Sequence, residues 1–282
     1  MNIKQVIIEK TKLLKDNNIE SASNIARILL SNLLNKSKEY LVINDKEELK
    51  GETIEKYDQC LKQIIEGYPM QYITNNQEFM RLNFYVDENV LIPQPDTEIL
   101  VENTIQICKE KYTENKTIKI LDLCTGSGAI AISLGKYIQN AEITAIDISK
   151  EAIKVAAKNA EMNGVKIQFV QSNMFENINE KYDIIVSNPP YIETNVLCKL
   201  PKEVQNEPRL ALDGGEDGLD FYREISKKAY RYLNDRGFLV MEIGYNQKNT
   251  VIEILSKETK YKNIECIKDF GNNDRVIQAQ II

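Results

Sequence analysis

The chain has 282 residues, of which 43% are hydrophobic and 28% charged, an ordinary composition for a globular protein with a sizeable core. Its formal net charge is -6, and acidic residues outnumber basic ones on both sides of Pro95. Neither part shows the basic excess of a general duplex-binding surface, so we expect no stable nucleic-acid binding. Histidine is absent, which excludes histidine general bases, Ser-His-Asp triads and histidine-rich metal sites. We predict no metal site.

The five cysteines are scattered, with no Cys-x-x-Cys spacing. This pattern is typical of reduced, mostly buried thiols in a cytosolic protein. No apolar run approaches membrane-spanning length, and the N-terminus lacks the hydrophobic stretch of a signal peptide. The sequence therefore predicts a cytoplasmic protein with no membrane association.

Residues 1 to about 67 show helical periodicity. A first apolar stripe runs from Ala22 to Leu34, after Ser21 or Ser23 as the expected N-cap. A second stripe covers residues 54–65 and is ended by Gly67 and a following proline. We predict a small helical domain over residues 1–78, whose role the periodicity does not define, although docking of a partner is one possibility.

A short strand pair is predicted from Phe79 to Val86, where apolar and polar residues alternate. The proline-rich segment 91–98 then marks a boundary, and Asp96 or Thr97 is positioned to cap a helix running to about Lys111. We therefore predict a hairpin linker over residues 79–95 and a second domain over residues 96–282.

Strands and helices alternate through this second domain. The alternation predicts an α/β fold with a mainly parallel, doubly wound sheet. The last two strands are separated by too few residues for a parallel crossover, so they should form an antiparallel hairpin. The predicted strands are 118–123, 141–146, 167–171, 182–187, 237–243, 264–268 and 275–281, and the predicted helices are 128–138, 150–162, 219–234 and 246–257.

Residues 120–130 combine a buried strand, a turn of small residues and a helix start. Gly126 and Gly128 let a ligand approach the backbone near the N–H groups of the helix terminus, although a close strand–helix crossing has the same pattern. The next strand ends at Asp147, where nucleotide-binding sheets place a carboxylate that binds both ribose hydroxyls. Alternatively, Asp147 and Ser149 cap the following helix. The loop lacks the three-glycine fingerprint of nicotinamide dehydrogenases, so S-adenosylmethionine fits better than a nicotinamide cofactor.

Asn188-Pro189-Pro190-Tyr191 follows another short apolar run, 183–187. The two prolines end the strand, and Asn188 is extended because a proline follows it. The segment therefore leaves the carboxyl edge of the sheet stiffly and presents an amide side chain, free carbonyls and an aromatic ring where ligands bind in such folds. Pro-Pro alone would be interpreted as a proline-stiffened turn. The glycine loop in the same chain disfavours that interpretation and favours a ligand site.

These motifs resemble those of the S-adenosylmethionine-dependent methyltransferases, and specifically of the release factor glutamine methyltransferases. The resemblance extends over nearly the whole chain and implies a Rossmann-like, seven-stranded class I methyltransferase domain with a small N-terminal helical domain. The matching segments are 69–73, 91–98, 121–130, 187–192, 207–212, 214–220, 242–244 and 274–276.

The resemblance implies methylation of the side-chain amide nitrogen (N5) of the glutamine in the Gly-Gly-Gln motif of class I peptide release factors. It assigns Asn188, Pro189 and Tyr191 to catalysis, and Asn188 with Pro189, Pro190 and Tyr191 to substrate binding. The cofactor-binding residues that it implies are Cys124, Thr125, Gly126, Ser127 and Gly128 for the methionine part, Asp147 for the ribose, Met174 and Phe175 for adenine, together with Asn188.

Three residues depart from the family pattern: Gln94 replaces a usual arginine, Cys124 a usual glycine and Asn173 a usual aspartate. Two other enzymes would carry the same tetrapeptide, a ribosomal-protein glutamine methyltransferase and a nucleic-acid adenine N6-methyltransferase. The acidic balance disfavours the second, which needs a basic target-recognition region. A non-catalytic binding protein on the same fold is the alternative outside enzymes, and the presence of Asn188 and the glycines disfavours it.

Overall fold

The computed structural model describes residues 1–113 and 116–282, and these form two compact units. The first contains Met1–Asn75 together with Pro201–Asn206. The second contains Asn76–Leu200 and Glu207–Ile282. Across the described part of the chain, every helix is too short or too polar to cross a lipid bilayer.

The N-terminal unit is helical, as the periodicity predicts. Its core is a cluster of aliphatic side chains around the fully buried Tyr57, whose hydroxyl donates to the carbonyl oxygen of Ala26 at 2.7 Å. The buried phenol thus joins two helices through a satisfied hydrogen bond. The helices are α1 (Ile3–Asp16), α2 (Ala22–Leu34), α3 (Lys38–Ile43), α4 (Gly51–Glu66) and α5 (Met70–Thr74), with the later α9 (Lys202–Gln205) in the same unit.

The helix ends agree only partly with the predicted caps. Gly67 ends α4 in the left-handed conformation, with φ of 95°, as predicted. Ser21 is the N-cap residue of α2, as predicted, but it has φ of 52° and makes no side-chain cap bond. Thr97 occupies the N-cap position of the next helix and also makes no side-chain cap bond, because a 3-10 turn (Pro95–Thr97) runs directly into that helix.

The second unit alternates strands and helices. Its strands are β1 (Gln77–Phe79), β2 (Leu82–Phe84), β3 (Ile118–Leu123), β4 (Ala141–Asp147), β5 (Gln168–Gln171), β6 (Tyr182–Ser187), β7 (Leu233–Glu242), β8 (Tyr261–Lys268) and β9 (Asp274–Ile281). Its helices are α6 (Glu98–Lys111), α7 (Ala129–Tyr137), α8 (Lys150–Asn163), α10 (Arg209–Leu212), α11 (Asp220–Lys228) and α12 (Lys248–Lys257), with 3-10 turns at Leu197–Lys199 and Ala229–Arg231.

Within the described residues, the main sheet has seven strands in the order β5-β4-β3-β6-β7-β9-β8. The first five are mutually parallel, and β9 pairs antiparallel with both β7 and β8. Both the doubly wound sheet and the C-terminal hairpin are therefore confirmed. The chain moves outward from β3 to β5 and then returns to place β6 beside β3. This reversal leaves a crevice at the carboxyl ends of β3 and β6, which is where open α/β sheets bind ligands.

Apolar residues cover both faces of the sheet. In β3, Ile120 belongs to one core cluster and Leu121 to another, as the period of two requires. In β6, Ile184 and Ile185 divide between the same two clusters. The buried double-faced sheet gives the site at its carboxyl edge a rigid support.

Several bounds differ from the prediction: the strand pair predicted over 79–86 lies at 77–84, and β8 begins three residues before the predicted 264. The turn of the β1–β2 hairpin has positive φ at both Met80 and Arg81, the type I′ geometry, but without the Asn-Gly sequence that usually announces it. Strand β7 begins four residues earlier than the predicted 237, because Leu233 pairs with Tyr182 before a register shift. The preceding helix is accordingly shorter than the predicted 219–234.

Candidate active site

A cavity of about 260 Å³ opens at the carboxyl ends of β3, β4 and β6. Apolar side chains supply much of its wall, and a few polar groups converge on it, which is the usual composition of a small-molecule site. The residues around it include Val90, Leu91, Cys124, Gly126, Ile146, Asp147, Ile148, Ser172, Asn173, Met174, Asn188 and Pro190.

The loop between β3 and α7 bends through left-handed backbone conformations. Cys124, Gly126 and Gly128 have φ of 59°, 53° and 81°. A Cβ atom on Gly128 would lie 2.9 Å from Ile132 Cδ1, so this glycine permits a close helix contact. The conformation of Cys124 explains why glycine is usual there, and burial raises the pKa of its thiol.

Thr125 and Ser127 are buried within the loop and stabilise it. The Thr125 hydroxyl donates to Asp122 Oδ2 at 2.6 Å, and Asn159 Nδ2 donates to the Ser127 carbonyl at 2.9 Å. Burial raises the pKa of Asp122 to about 7. These side chains hold the loop's shape, whereas Gly126 and Cys124 line the cavity.

Asp147 connects the glycine loop to the start of α8. Its Oδ2 accepts the Gly126 N–H and its Oδ1 accepts the Ser149 N–H, both at 2.9 Å. Ser149 caps α8 by accepting from the Ala152 N–H at 3.2 Å. Burial raises the pKa of Asp147, and the backbone N–H bonds oppose that rise. Each carboxylate oxygen retains acceptor capacity, so the contacts allow a capping role and a ligand role together.

Of the two predicted adenine contacts, one lines the cavity. Met174, with φ of 47°, lines the cavity. Phe175 instead lies in the core, where its ring stacks on Tyr232 at 4.7 Å between centroids. Asn173 also lines the cavity, and its Nδ2 donates to Glu176 Oε1 at 3.0 Å.

Asn188 and Pro190 line the same cavity, from the end of β6. Asn188 Nδ2 donates to Thr97 Oγ1 at 3.2 Å, which leaves the carbonyl end of this amide as the available acceptor. The Tyr191 hydroxyl donates to Glu242 Oε1 at 3.4 Å, and Pro189 is buried. The tetrapeptide thus presents one oriented amide beside the loop of Gly126.

Sequence patterns alone missed the partners of this tetrapeptide. Thr97 accepts a hydrogen bond from Asn188, and its side chain does not cap the following helix. Glu242 is a buried acid at the end of β7. Glu207, also buried, accepts the Ile92 N–H at 2.9 Å and so fixes the proline-rich segment before α6. The sequence signal for Glu242 is a carboxylate within an apolar run, whereas Glu207 has no such signal.

Two glycines lie against the tetrapeptide backbone. A Cβ atom on Gly214 would lie 2.7 Å from Tyr191 Cα and 2.9 Å from the Pro190 carbonyl oxygen. A Cβ atom on Gly218 would lie 2.4 Å from the Tyr191 carbonyl oxygen. The glycine-rich segment after α10 therefore allows a close approach that no other residue fits.

Two protein-family models match this chain. Residues 5–74 match the PrmC N-terminal domain, and residues 97–215 match the methyltransferase small domain. Together they cover parts of both compact units.

Curated relatives match over almost the full length. A release factor glutamine methyltransferase of Clostridium acetobutylicum is 39% identical over 286 residues, covering 99% of this chain and 98% of the relative. The enzyme of the same name from Fusobacterium nucleatum is 40% identical and covers 96% of this chain and 77% of the relative. A methyltransferase structure from Pyrococcus furiosus covers 79% of this chain and 98% of its own, with 18% identity and a TM-score of 0.55, which supports the fold alone.

Proposed function

The chain belongs to the release factor glutamine methyltransferase family, and we propose that it methylates the N5 nitrogen of the Gly-Gly-Gln glutamine in class I peptide release factors. The methyl donor is S-adenosylmethionine. The observation that carries the proposal is the oriented Asn188 amide, which lines one cavity with Gly126 and Asp147.

The chemistry of the cavity fits S-adenosylmethionine. Asp147 offers carboxylate oxygens for ribose hydroxyls, and the open space beside Gly126 admits the amino-acid part of the ligand. Met174 and its apolar neighbours suit the adenine ring, whereas Phe175 supports Met174 from the core. Thr125, Ser127 and Gly128 act indirectly by holding the loop, and Cys124 contributes a neutral thiol to the wall.

The tetrapeptide would bind the glutamine amide. An amide nitrogen is a poor nucleophile, because its lone pair is delocalised into the carbonyl group. The Asn188 Oδ1 atom and the Pro189 carbonyl oxygen would accept hydrogen bonds from the two N–H groups of the substrate amide. These bonds would stabilise the positive charge that develops on the amide nitrogen. Pro190 keeps this backbone stiff, and the Tyr191 ring would pack on the planar amide. S-adenosylmethionine supplies an activated methyl group, and the chain's contribution is alignment and exclusion of water.

A labelled methyl donor tests the proposed substrate directly. The protein is incubated with a release factor, with the same factor carrying Gln→Ala in its Gly-Gly-Gln motif, with ribosomal protein, and with DNA or RNA. We expect label in the intact release factor alone. Label that persists in the Gln→Ala factor, or that appears only in ribosomal protein or nucleic acid, would contradict the proposal.

We expect Asp147→Asn to weaken S-adenosylmethionine binding roughly tenfold. The neutral amide keeps one acceptor oxygen but loses a charge-assisted bond to the ribose, a cost of about 1.5 kcal/mol. Calorimetric titration measures the affinity, and thermal unfolding of the same sample reports the loss at the start of α8. An unchanged dissociation constant with a lowered Tm would leave Asp147 a capping residue only.

We also propose that residues 1–78 form a domain that docks the release factor, with 79–95 as linker and 96–282 as the catalytic domain. A chain beginning at Asn76, the first residue of the second compact unit, should still bind S-adenosylmethionine. Its kcat/KM for intact release factor should fall roughly tenfold, because a second binding contact is lost. The matched control is a short Gly-Gly-Gln peptide, on which both chains should be equally active. Equal turnover of the intact factor would remove the docking role.

We propose a cytoplasmic location as well. Cys60, Cys108, Cys124 and Cys266 carry free thiols, as expected in a reducing compartment. Cell fractionation with an antibody against the protein tests this, and recovery outside the cytoplasmic fraction would contradict it.

A further inference from the structure

Thr97 and Glu242 lie at the same edge of the sheet as Asn188. Ser187 pairs with Met241 across β6 and β7, so the residues that follow them, Asn188 and Glu242, lie at the same level of the sheet. Thr97, in the turn before α6, is 5% exposed, and Glu242 is 1% exposed. The two buried side chains therefore lie against the tetrapeptide 188–191, through Asn188 and Tyr191.

Their hydrogen bonds have a defined direction. Asn188 Nδ2 can only donate, so Thr97 Oγ1 accepts at 3.2 Å. The Thr97 hydroxyl also faces the carboxyl group of Glu242 and, as a hydrogen-bond donor, lowers the pKa of that group. The Tyr191 hydroxyl reaches the same carboxyl group at 3.4 Å. An ionised Glu242 thus makes Thr97 and Tyr191 donors, which leaves Thr97 Oγ1 to accept from Asn188.

The pKa of Glu242 is subject to opposing influences. Burial raises its pKa to about 7, whereas Thr97, Arg275 and Tyr191 lower it, and Asp96 raises it further. Arg275 is itself paired with Asp96 at 2.9 Å and Asp269 at 3.2 Å. Among the described residues Glu242 Oε2 has no hydrogen-bond partner, which is rare for a buried carboxyl oxygen. A group of this kind, close to a reacting centre, is more typical of function than of packing.

We propose that Thr97 and Glu242 are positioning residues that turn the Asn188 carbonyl oxygen toward the substrate amide. Without the Thr97 acceptor, the Asn188 carboxamide can rotate about its terminal torsion and present N–H groups to the N–H groups of the substrate. This inference rests on the proposed function, because it gives Asn188 the role of an acceptor. It assigns no contact between Thr97 or Glu242 and the substrate itself.

The proposal gives the reaction a pH dependence of definite sign. A protonated Glu242 can donate to Thr97 Oγ1 and no longer fixes the direction of the hydroxyl, so the rate should fall as pH drops through about 7. Because Glu242 acts on Asn188 only through the Thr97 hydroxyl, Thr97→Val should lose this acid limb, whereas Thr97→Ser should keep it. Arg275, Tyr191 and Asp96 face the same carboxyl group and are left unchanged by the substitution.

The test compares Thr97→Val with Thr97→Ser. Valine keeps the shape but removes both hydrogen bonds, and we expect roughly a tenfold lower single-turnover rate, the scale of one neutral hydrogen bond. Serine keeps the hydroxyl and should restore most of the rate. Thr104→Val is the matched control, since Thr104 is also buried on the adjoining helix but donates only to the Leu100 carbonyl at 2.7 Å.

The expected pattern has three parts: a loss of kcat in Thr97→Val with S-adenosylmethionine affinity unchanged, rescue of the rate by serine, and an acid limb that is lost in Thr97→Val and kept in Thr97→Ser. A Thr97→Val rate equal to that of Thr104→Val would overturn the positioning role. An equal loss of rate in Thr97→Ser would also overturn it, as would a pH profile of Thr97→Val that is unchanged from that of the wild-type protein. Absence of transfer by the wild-type protein would instead refute the proposed substrate, so the two failures are distinguishable.

Discussion

Replacing Asn188 with alanine is expected to lower single-turnover methyl transfer roughly 10²–10³-fold, by analogy with the loss of one preorganised oxyanion-type hydrogen bond. The amide stands at the end of β6 with its donor end held by Thr97, so its oxygen is already placed before substrate arrives. Without it, the glutamine can rotate and the charge on its nitrogen is poorly stabilised. The rate is measured with a release factor at saturating S-adenosylmethionine.

The control is the affinity for S-adenosylmethionine, which should change much less because Gly126 and Asp147 remain. Asn188→Asp is the informative companion, since it keeps the shape and an acceptor but adds a negative charge beside Thr97. We expect it to be impaired too, because a carboxylate cannot donate to Thr97 Oγ1 and loses the fixed orientation. A near-wild-type rate for Asn188→Ala would contradict the proposed role of Asn188 as the acceptor for the substrate amide.

Most of the fold could be predicted because its signals are local. The apolar runs that become β3 and β6 are short and bounded by turn residues, so their ends were placed within a residue. The β1–β2 turn is harder to predict, because Met80 and Arg81 have positive φ without the intrinsic preference of Asn or Gly. The Met80 backbone is bonded instead to distant residues, its N–H to Glu98 Oε1 and its carbonyl oxygen to the Tyr137 hydroxyl. The start of β7 is also not predicted, because Leu233 pairs with Tyr182 across the sheet, ahead of a register shift that no local pattern indicates.

The site was predicted where backbone chemistry defines it and missed where distant segments meet. Gly126 and Asp147 were identified from their spacing, and the structure joins them by a direct hydrogen bond. Phe175, assigned to adenine through the resemblance, lies in the core, because a residue adjacent to a cavity-lining one need not face the cavity. Thr97 accepts from Asn188, and Glu242 accepts from Tyr191. Because these partners come from separate parts of the chain, no local pattern predicts the contacts.

Gly214→Ala is expected to lower turnover roughly 10²-fold, although Gly214 contacts neither cofactor nor substrate in the proposed arrangement. The added methyl group would lie 2.7 Å from Tyr191 Cα and 2.9 Å from the Pro190 carbonyl oxygen, and both obstacles are backbone atoms that cannot rotate away. The tetrapeptide must therefore shift, and displacement of a positioning group by about 1 Å can cost 10²-fold in rate. Overpacking should also cost about 1–3 kcal/mol of unfolding free energy.

Gly51→Ala is the matched control for this substitution. Gly51 begins α4 in the N-terminal unit, and nothing lies within 4 Å of the position where its Cβ would be. Neither glycine has a positive φ, so the two substitutions differ in steric crowding and not in backbone strain. Alanine at Gly51 should leave turnover unchanged and stabilise the protein slightly, because alanine loses less chain entropy than glycine on folding. If Gly214→Ala behaves like Gly51→Ala, the backbone of Pro190 and Tyr191 can shift without loss of activity. The rigidity of the segment after β6 would then not be what positions Asn188.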